Sequence, residues 1–136
     1  MDQPMTAINS LLKKVKDAQL IEQLVVPGDD VIGLLCKRDE DDFCARWTRA
    51  FNAVAAAKSK RPLSSKIEKA ILDLRECTFR RTFARWKSSD LAAYISDDFG
   101  LIGDSLGVGG NYQWINRLLQ VYLSGEIPTG DNTDLG

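Results

Sequence analysis

The sequence predicts an all-α protein, a compact single-domain bundle or orthogonal array of about five to seven helices. Apolar residues recur at helical spacing through most of the chain, as in Ile8, Leu11, Leu12 and Val15. Strictly alternating β-branched runs are absent, and so are the Asn-Gly and Asp-Gly pairs that close hairpins. The apolar segments are separated by short Pro-, Gly- and Ser-containing breaks, which favour antiparallel or crossed neighbours.

The first helix is expected over about residues 6–24, with Thr6 as its cap and Val25-Val26-Pro27-Gly28 as its end. Asp29 or Asp30 is placed to cap a short second helix through Val31, Ile32, Leu34 and Leu35. A third helix begins in the acidic run Asp39-Glu40-Asp41-Asp42 and ends near Lys58, with Phe43, Trp47, Ala50, Phe51, Val54 and Ala57 on one face. Acids at its start and lysines at its end suit the helix dipole.

Pro62 breaks the chain, and Ser65 with Glu68 makes a capping-box pattern for a fourth helix reaching Trp86. Its apolar stripe drifts: Ile67, Ile71, Leu74 and Thr78 share one face, while Phe79, Phe83 and Trp86 lie about a quarter turn away. Either the helix bends or two neighbours pack on its two halves. Ser88 or Ser89 caps the next segment, through Leu91, Ile95, Phe99, Ile102 and Leu106, and Ser96-Asp97-Asp98 is suited to starting a new helix within it. The last helix, about residues 112–124, is apolar around most of its girth and reads as central to the core. Residues 1–128 are expected to form a single helical domain, and 129–136 a flexible C-terminal tail.

Composition narrows the chemistry. There is no histidine among the 136 residues, so neither a Ser-His relay nor a histidine-bearing zinc site is available. Gly103-Asp104-Ser105-Leu106-Gly107 fits the G-x-S-x-G nucleophile elbow, and its first four residues look like the signature of the GDSL hydrolases. Both resemblances fail here, because the surroundings are helical and no imidazole can take the serine proton. Cys36, Cys44 and Cys77 are odd in number and widely spaced, and are read as reduced, core-filling thiols. No glycine-rich phosphate loop or calcium loop is present, and no metal or cofactor is expected. Lacking a signal-like or membrane-spanning stretch, the protein is expected in the cytoplasm.

Charge is distributed unevenly. The whole chain carries −1, but residues 58–87 hold ten bases against three acids, and residues 88–136 hold seven acids against one base. The first reading is internal compensation, with Arg81 and Arg85 near the apolar stripe of the fourth helix, paired to Asp97, Asp98 or Asp104. The second is a partner-binding face made of Asp39, Glu40, Asp41, Asp42, Asp97, Asp98 and Asp104, suited to a basic protein. The third is a nucleic-acid face on the fourth helix, where Lys66, Lys69, Arg80 and Lys87 fall within one sector. Against it stand a sequence pI near 5.4 and the absence of a recognisable nucleic-acid-binding motif.

The expected function is therefore a small helical protein-binding module, monomer or homodimer, without catalysis. By analogy of architecture, it suits an immunity-type protein or an inhibitor that neutralises a basic partner through an acidic face. The alternatives are a nucleic-acid-associated regulator and an enzyme using carboxylates alone. Trp47, Trp86, Trp114, Tyr94 and Tyr122 are read mainly as core residues, with one or two available as interface anchors.

Overall fold

The computed structural model describes residues 3–134. Among them six α-helices follow in order: α1 (Gln3–Lys16), α2 (Val31–Arg38), α3 (Asp41–Lys60), α4 (Ser65–Trp86), α5 (Ser89–Gly107) and α6 (Gln113–Leu123). The fold is all-α and compact, as the periodicity requires. Its one β feature among these residues is an isolated parallel bridge between Val25 and Glu126. Among the described residues no helix is long and apolar enough to cross a membrane.

The first helix is shorter than its spacing suggests. It stops at Lys16, the chain turns through Gln19 in the left-handed region (φ 54°), and a single 3₁₀ turn follows at Ile21–Gln23. That turn still delivers Leu20, Ile21 and Leu24 to the core, so the apolar pattern survives while the helix does not. Thr6 lies inside α1 rather than at its cap.

Side chains close three of the later helix starts. Asp30 Oδ1 accepts from Gly33 N–H at 2.9 Å, Ser64 Oγ from Ile67 N–H at 3.2 Å, and Ser88 Oγ from Leu91 N–H at 3.1 Å. The cap of α4 is thus Ser64, one residue before the expected Ser65. α3 starts without a side-chain cap, but Asp41 and Asp42 sit in its first turn and Lys58 and Lys60 in its last. α5 runs unbroken through Ser96-Asp97-Asp98, because their capping groups are taken by tertiary partners. Ser96 Oγ donates to the Arg75 carbonyl at 3.0 Å, and both aspartates hold arginines.

The central element is α5, not α6: it packs against each of the other five helices. Small residues allow this. A Cβ on Gly103 would stand 3.1 Å from Ile71 Cγ1, and one on Gly107 3.0 Å from Leu63 Cδ2. These glycines let α4 lie close along α5, which gives the G-x-S-x-G segment a packing role; Ser105 is buried within it. By contrast, α6 keeps Gln113, Asn116, Gln120 and Leu123 exposed.

The drifting stripe of α4 is resolved by two neighbours. Its first half packs Ile67, Ala70 and Ile71 around Ile8 of α1, and its second half meets the Ile21–Gln23 turn. Thr78 and Thr82 are buried there, and their hydroxyls donate to carbonyls of their own helix. Phe79 and Phe83 remain exposed.

The segment after α6 packs instead of fraying from Thr129 onward. Thr129 and Thr133 are buried, Thr133 Oγ1 donates to the Thr129 carbonyl at 2.6 Å, and Asn132 closes the turn on Thr129 N–H at 2.8 Å. The remaining tail residues, 135 and 136, lie outside the described residues. Of the cysteines expected to fill the core, Cys36 and Cys44 are exposed and Cys77 is half-buried.

Candidate functional site

Four helices converge on one carboxylate. Asp98 shares the inward face of α5 with Leu91, Ile95 and Ile102, and no part of it is exposed. Arg38 ends α2 one turn after Leu34 on that helix's buried side. Its Nη1 and Nη2 donate to Asp98 Oδ2 and Oδ1, both at 2.8 Å, a fork-to-fork pair with side chains 4% and 0% exposed. Trp47 Nε1 of α3 donates to Oδ1 at 2.9 Å, and the Tyr122 hydroxyl of α6 donates to Oδ2 at 2.6 Å.

Every strong acceptor direction of Asp98 is therefore occupied, the condition under which a buried ion pair is tolerated. Burial opposes the Arg38 charge, but the charge and hydrogen bonds of Asp98 outweigh it and hold its pKa above the ordinary value. Burial, then the Asp98 charge, pushes the Tyr122 phenol well up. The Arg38 guanidinium also lies 4.5 Å from the Phe43 ring centroid and 5.3 Å from that of Tyr94. Its Nε is buried without a hydrogen-bond partner.

Over this node opens a cleft of about 180 Å³ between the α2–α3 corner and α5. Arg38, Phe43, Cys44, Trp47, Thr48 and Tyr94 line it, together with the carboxylates Asp39 and Asp97. The Tyr94 hydroxyl donates to Asp39 Oδ1 in a close hydrogen bond. That bond, then burial, raises the Tyr94 pKa to about 12. A second cleft of about 240 Å³ shares Trp47 and Asp97 with the first and runs on past Phe51 to Asp104. Trp47 stacks on Phe51 at 5.6 Å, and Phe51 is 47% exposed. A wider depression of about 570 Å³ between α3 and the start of α6 is lined by Arg46, Arg49 and Trp114, with Asp134 as its single carboxylate.

The seven acids grouped by sequence thus divide. Asp39 and Asp97 both line the cleft, and Glu40, Asp41 and Asp42 continue from Asp39 along the exposed start of α3. Asp104 belongs to the neighbouring cleft. Asp98 is removed from any partner surface, because it is wholly buried on Arg38.

The arginines Arg81 and Arg85 also have other partners than expected. Arg81 pairs with Glu22 at 3.2 Å, while Arg85 donates to the Ile21 carbonyl at 2.8 Å and stacks 4.2 Å over Trp86. The C-terminal half of α4 faces the 3₁₀ turn, so Asp97 pairs instead with Arg75 at 2.7 Å and Asp104 with Lys58 at 3.1 Å. Lys66, Lys69, Arg80 and Lys87 are all exposed on or just after α4. Asp73 bonds Lys69 at 3.3 Å and Glu76 approaches Arg80 at 4.0 Å.

Neither the structural charge of Arg38 nor the place of Tyr94 in the cleft wall is signalled by the local sequence. A signal for Asp98 was present: it falls seven residues after Leu91 and four before Ile102, on the apolar stripe. No local pattern connects it to Arg38, sixty residues earlier.

A family model described as "Immunity protein PIM1" matches residues 10–129, well over half of the chain. No curated protein matches the sequence.

Proposed function

The chain belongs to the PIM1 immunity protein family, and from that premise we propose that it neutralises a basic toxin by binding it through the cleft face of α3 and α5. One observation carries the reading: Asp39 and Asp97 line one cleft with Trp47 and Tyr94, and three more acids follow Asp39 in the chain, all exposed. Aromatic side chains held in a rigid frame make strong interface anchors, and a charged rim raises the encounter rate and selects the partner. Here the frame is the Arg38–Asp98 node, which fixes Trp47 from below.

Neutralisation of this kind is stoichiometric and takes place in the cytoplasm. It uses no cofactor and no catalytic step. Each exposed acid contributes only about 0.2–1 kcal/mol in a rim pair, so affinity rests on the aromatic anchors. The acids make association salt-dependent.

The test is growth protection and binding by the full-length protein against its toxin, captured from the native cells. Tyr94→Ala combined with Asp39→Asn and Asp97→Asn is expected to lower affinity at least about tenfold, one anchor being worth about 2 kcal/mol or more. Neutralising Lys66, Lys69 and Arg80 together is expected to leave protection intact. The opposite pattern moves the interface to α4 and refutes the reading.

A further inference from the structure

We infer that the cleft over Arg38 is a receptor for a single guanidinium side chain, an arginine presented by the partner. The inference rests on the proposed interface and adds the chemical group recognised there. The space is about 180 Å³ and open to solvent on one side. It admits one long side chain and is too small for a helix.

Charge decides the sign of the occupant. Counting Arg75, the partner of Asp97, the site holds two guanidiniums (Arg38, Arg75) against three carboxylates (Asp39, Asp97, Asp98). Glu40, Asp41 and Asp42 add negative charge along the adjoining surface. The cation at the floor offers nothing to an anion. Arg38 has both terminal nitrogens on Asp98, and its Nε is sealed beneath the surface.

The walls decide which cation fits. Arg38 already lies over buried Phe43 at 4.5 Å and near Tyr94 at 5.3 Å, so the ring surface left to an incoming group is that of half-buried Trp47 and Tyr94. A planar, weakly hydrated guanidinium stacks on aromatic faces while its edge donates to carboxylates. A lysine ammonium is a compact, strongly hydrated point charge that gains less from such walls. Asp39 and Asp97 are both exposed at the mouth, so their remaining lone pairs are open to an incoming donor.

The test uses the full chain, titrated with N-acetyl-arginine amide, its lysine counterpart and the neutral isostere N-acetyl-citrulline amide. The readouts are the nuclear resonances of the Trp47 indole N–H and of the Asp39, Tyr94 and Asp97 amides. The arginine derivative is expected to shift these signals with a midpoint on the order of millimolar, and the citrulline derivative to bind at least about tenfold more weakly. Asp39→Asn/Asp97→Asn, whose fold is checked by its unchanged Trp47 indole signal, is expected to abolish the preference for arginine. Equal binding of citrulline and arginine, or shifts scattered away from the cleft, overturns the inference. The two readings fail separately. If the double variant loses toxin binding although the arginine derivative never occupied the cleft, the interface stands and the receptor falls. If toxin binds with unchanged affinity even after Tyr94→Ala is added to the double variant, the interface itself falls.

Discussion

Replacing Asp98 by alanine removes the acceptor of four hydrogen bonds from a site with no exposed surface. The Arg38 side chain, 4% exposed, is left as an unpaired buried charge. Breaking such a pair costs about 3–5 kcal/mol. The fully buried Tyr122 hydroxyl also loses its acceptor, adding about 1–3 kcal/mol. Half-buried Trp47 can turn to water, so its share is smaller. The total, roughly 4–8 kcal/mol, is comparable to the whole stability of a small domain, about 5–15 kcal/mol. Asp98→Ala is therefore expected to lie close to global unfolding.

The triple variant Arg38→Met/Asp98→Leu/Tyr122→Phe removes the charge, its partner and the hydroxyl donor together. It is expected to recover most of the loss, since well-packed apolar replacements of buried pairs are often neutral or better. Urea denaturation followed by circular dichroism reads both variants as midpoint shifts at constant slope. A loss below about 1.5 kcal/mol for Asp98→Ala, or a triple variant no more stable than it, would refute the assignment of Asp98 as the polar centre of the fold.

Three further outcomes follow from particular residues. Tyr94 keeps its proton in the native state up to about pH 12, whereas an unfolded tyrosine releases it near about pH 10. Its contribution is therefore full below about pH 10 and lost as pH rises towards 12. Tyr94→Phe should flatten the decline of stability over that range, measured by urea midpoints at several pH values. Gly103→Leu forces a side chain against Ile71, whose Cγ1 would lie 3.1 Å from even a Cβ. A loss of about 1–3 kcal/mol is expected in thermal or urea unfolding, and a neutral result would contradict close α4–α5 packing. Lys87 ends α4 in the left-handed region at φ 56°, so Lys87→Gly should raise stability by up to about 1 kcal/mol, seen as a higher melting temperature.

Local chemistry was legible where it stayed local. Asp30 and Ser88 cap the helices that their positions announced, and the acidic start and lysine end of α3 fall within one turn of where they were expected. The end of α1 was hidden because the 3₁₀ turn at Ile21 continues to bury apolar residues at near-helical intervals. The packing beyond Pro128 depends on Thr129, Asn132 and Thr133 bonding one another, which polar composition alone reads as a tail. Of the acids named for a binding face, Asp39 and Asp97 line one cleft only because α2 packs against α5. Asp98 was misassigned because a carboxylate suited to capping is equally suited to receiving a buried arginine, and only the apolar stripe around it separates the two roles.

The layering of the Arg38–Asp98 pair beneath an acidic rim has a consequence for how such a protein changes over generations. Asp39 and Asp97 sit on the outer side of the cleft, while Trp47 and Tyr122 hold Asp98 from within. On the interface proposed above, a substitution at the rim would alter which opponent is recognised and cost the fold little, whereas one at the inner pair would cost most of the fold. That proposal would put specificity and foldability in separate, adjacent layers, so that a lineage pressed by a changing toxin would have room to vary the outer layer while the inner one stays fixed.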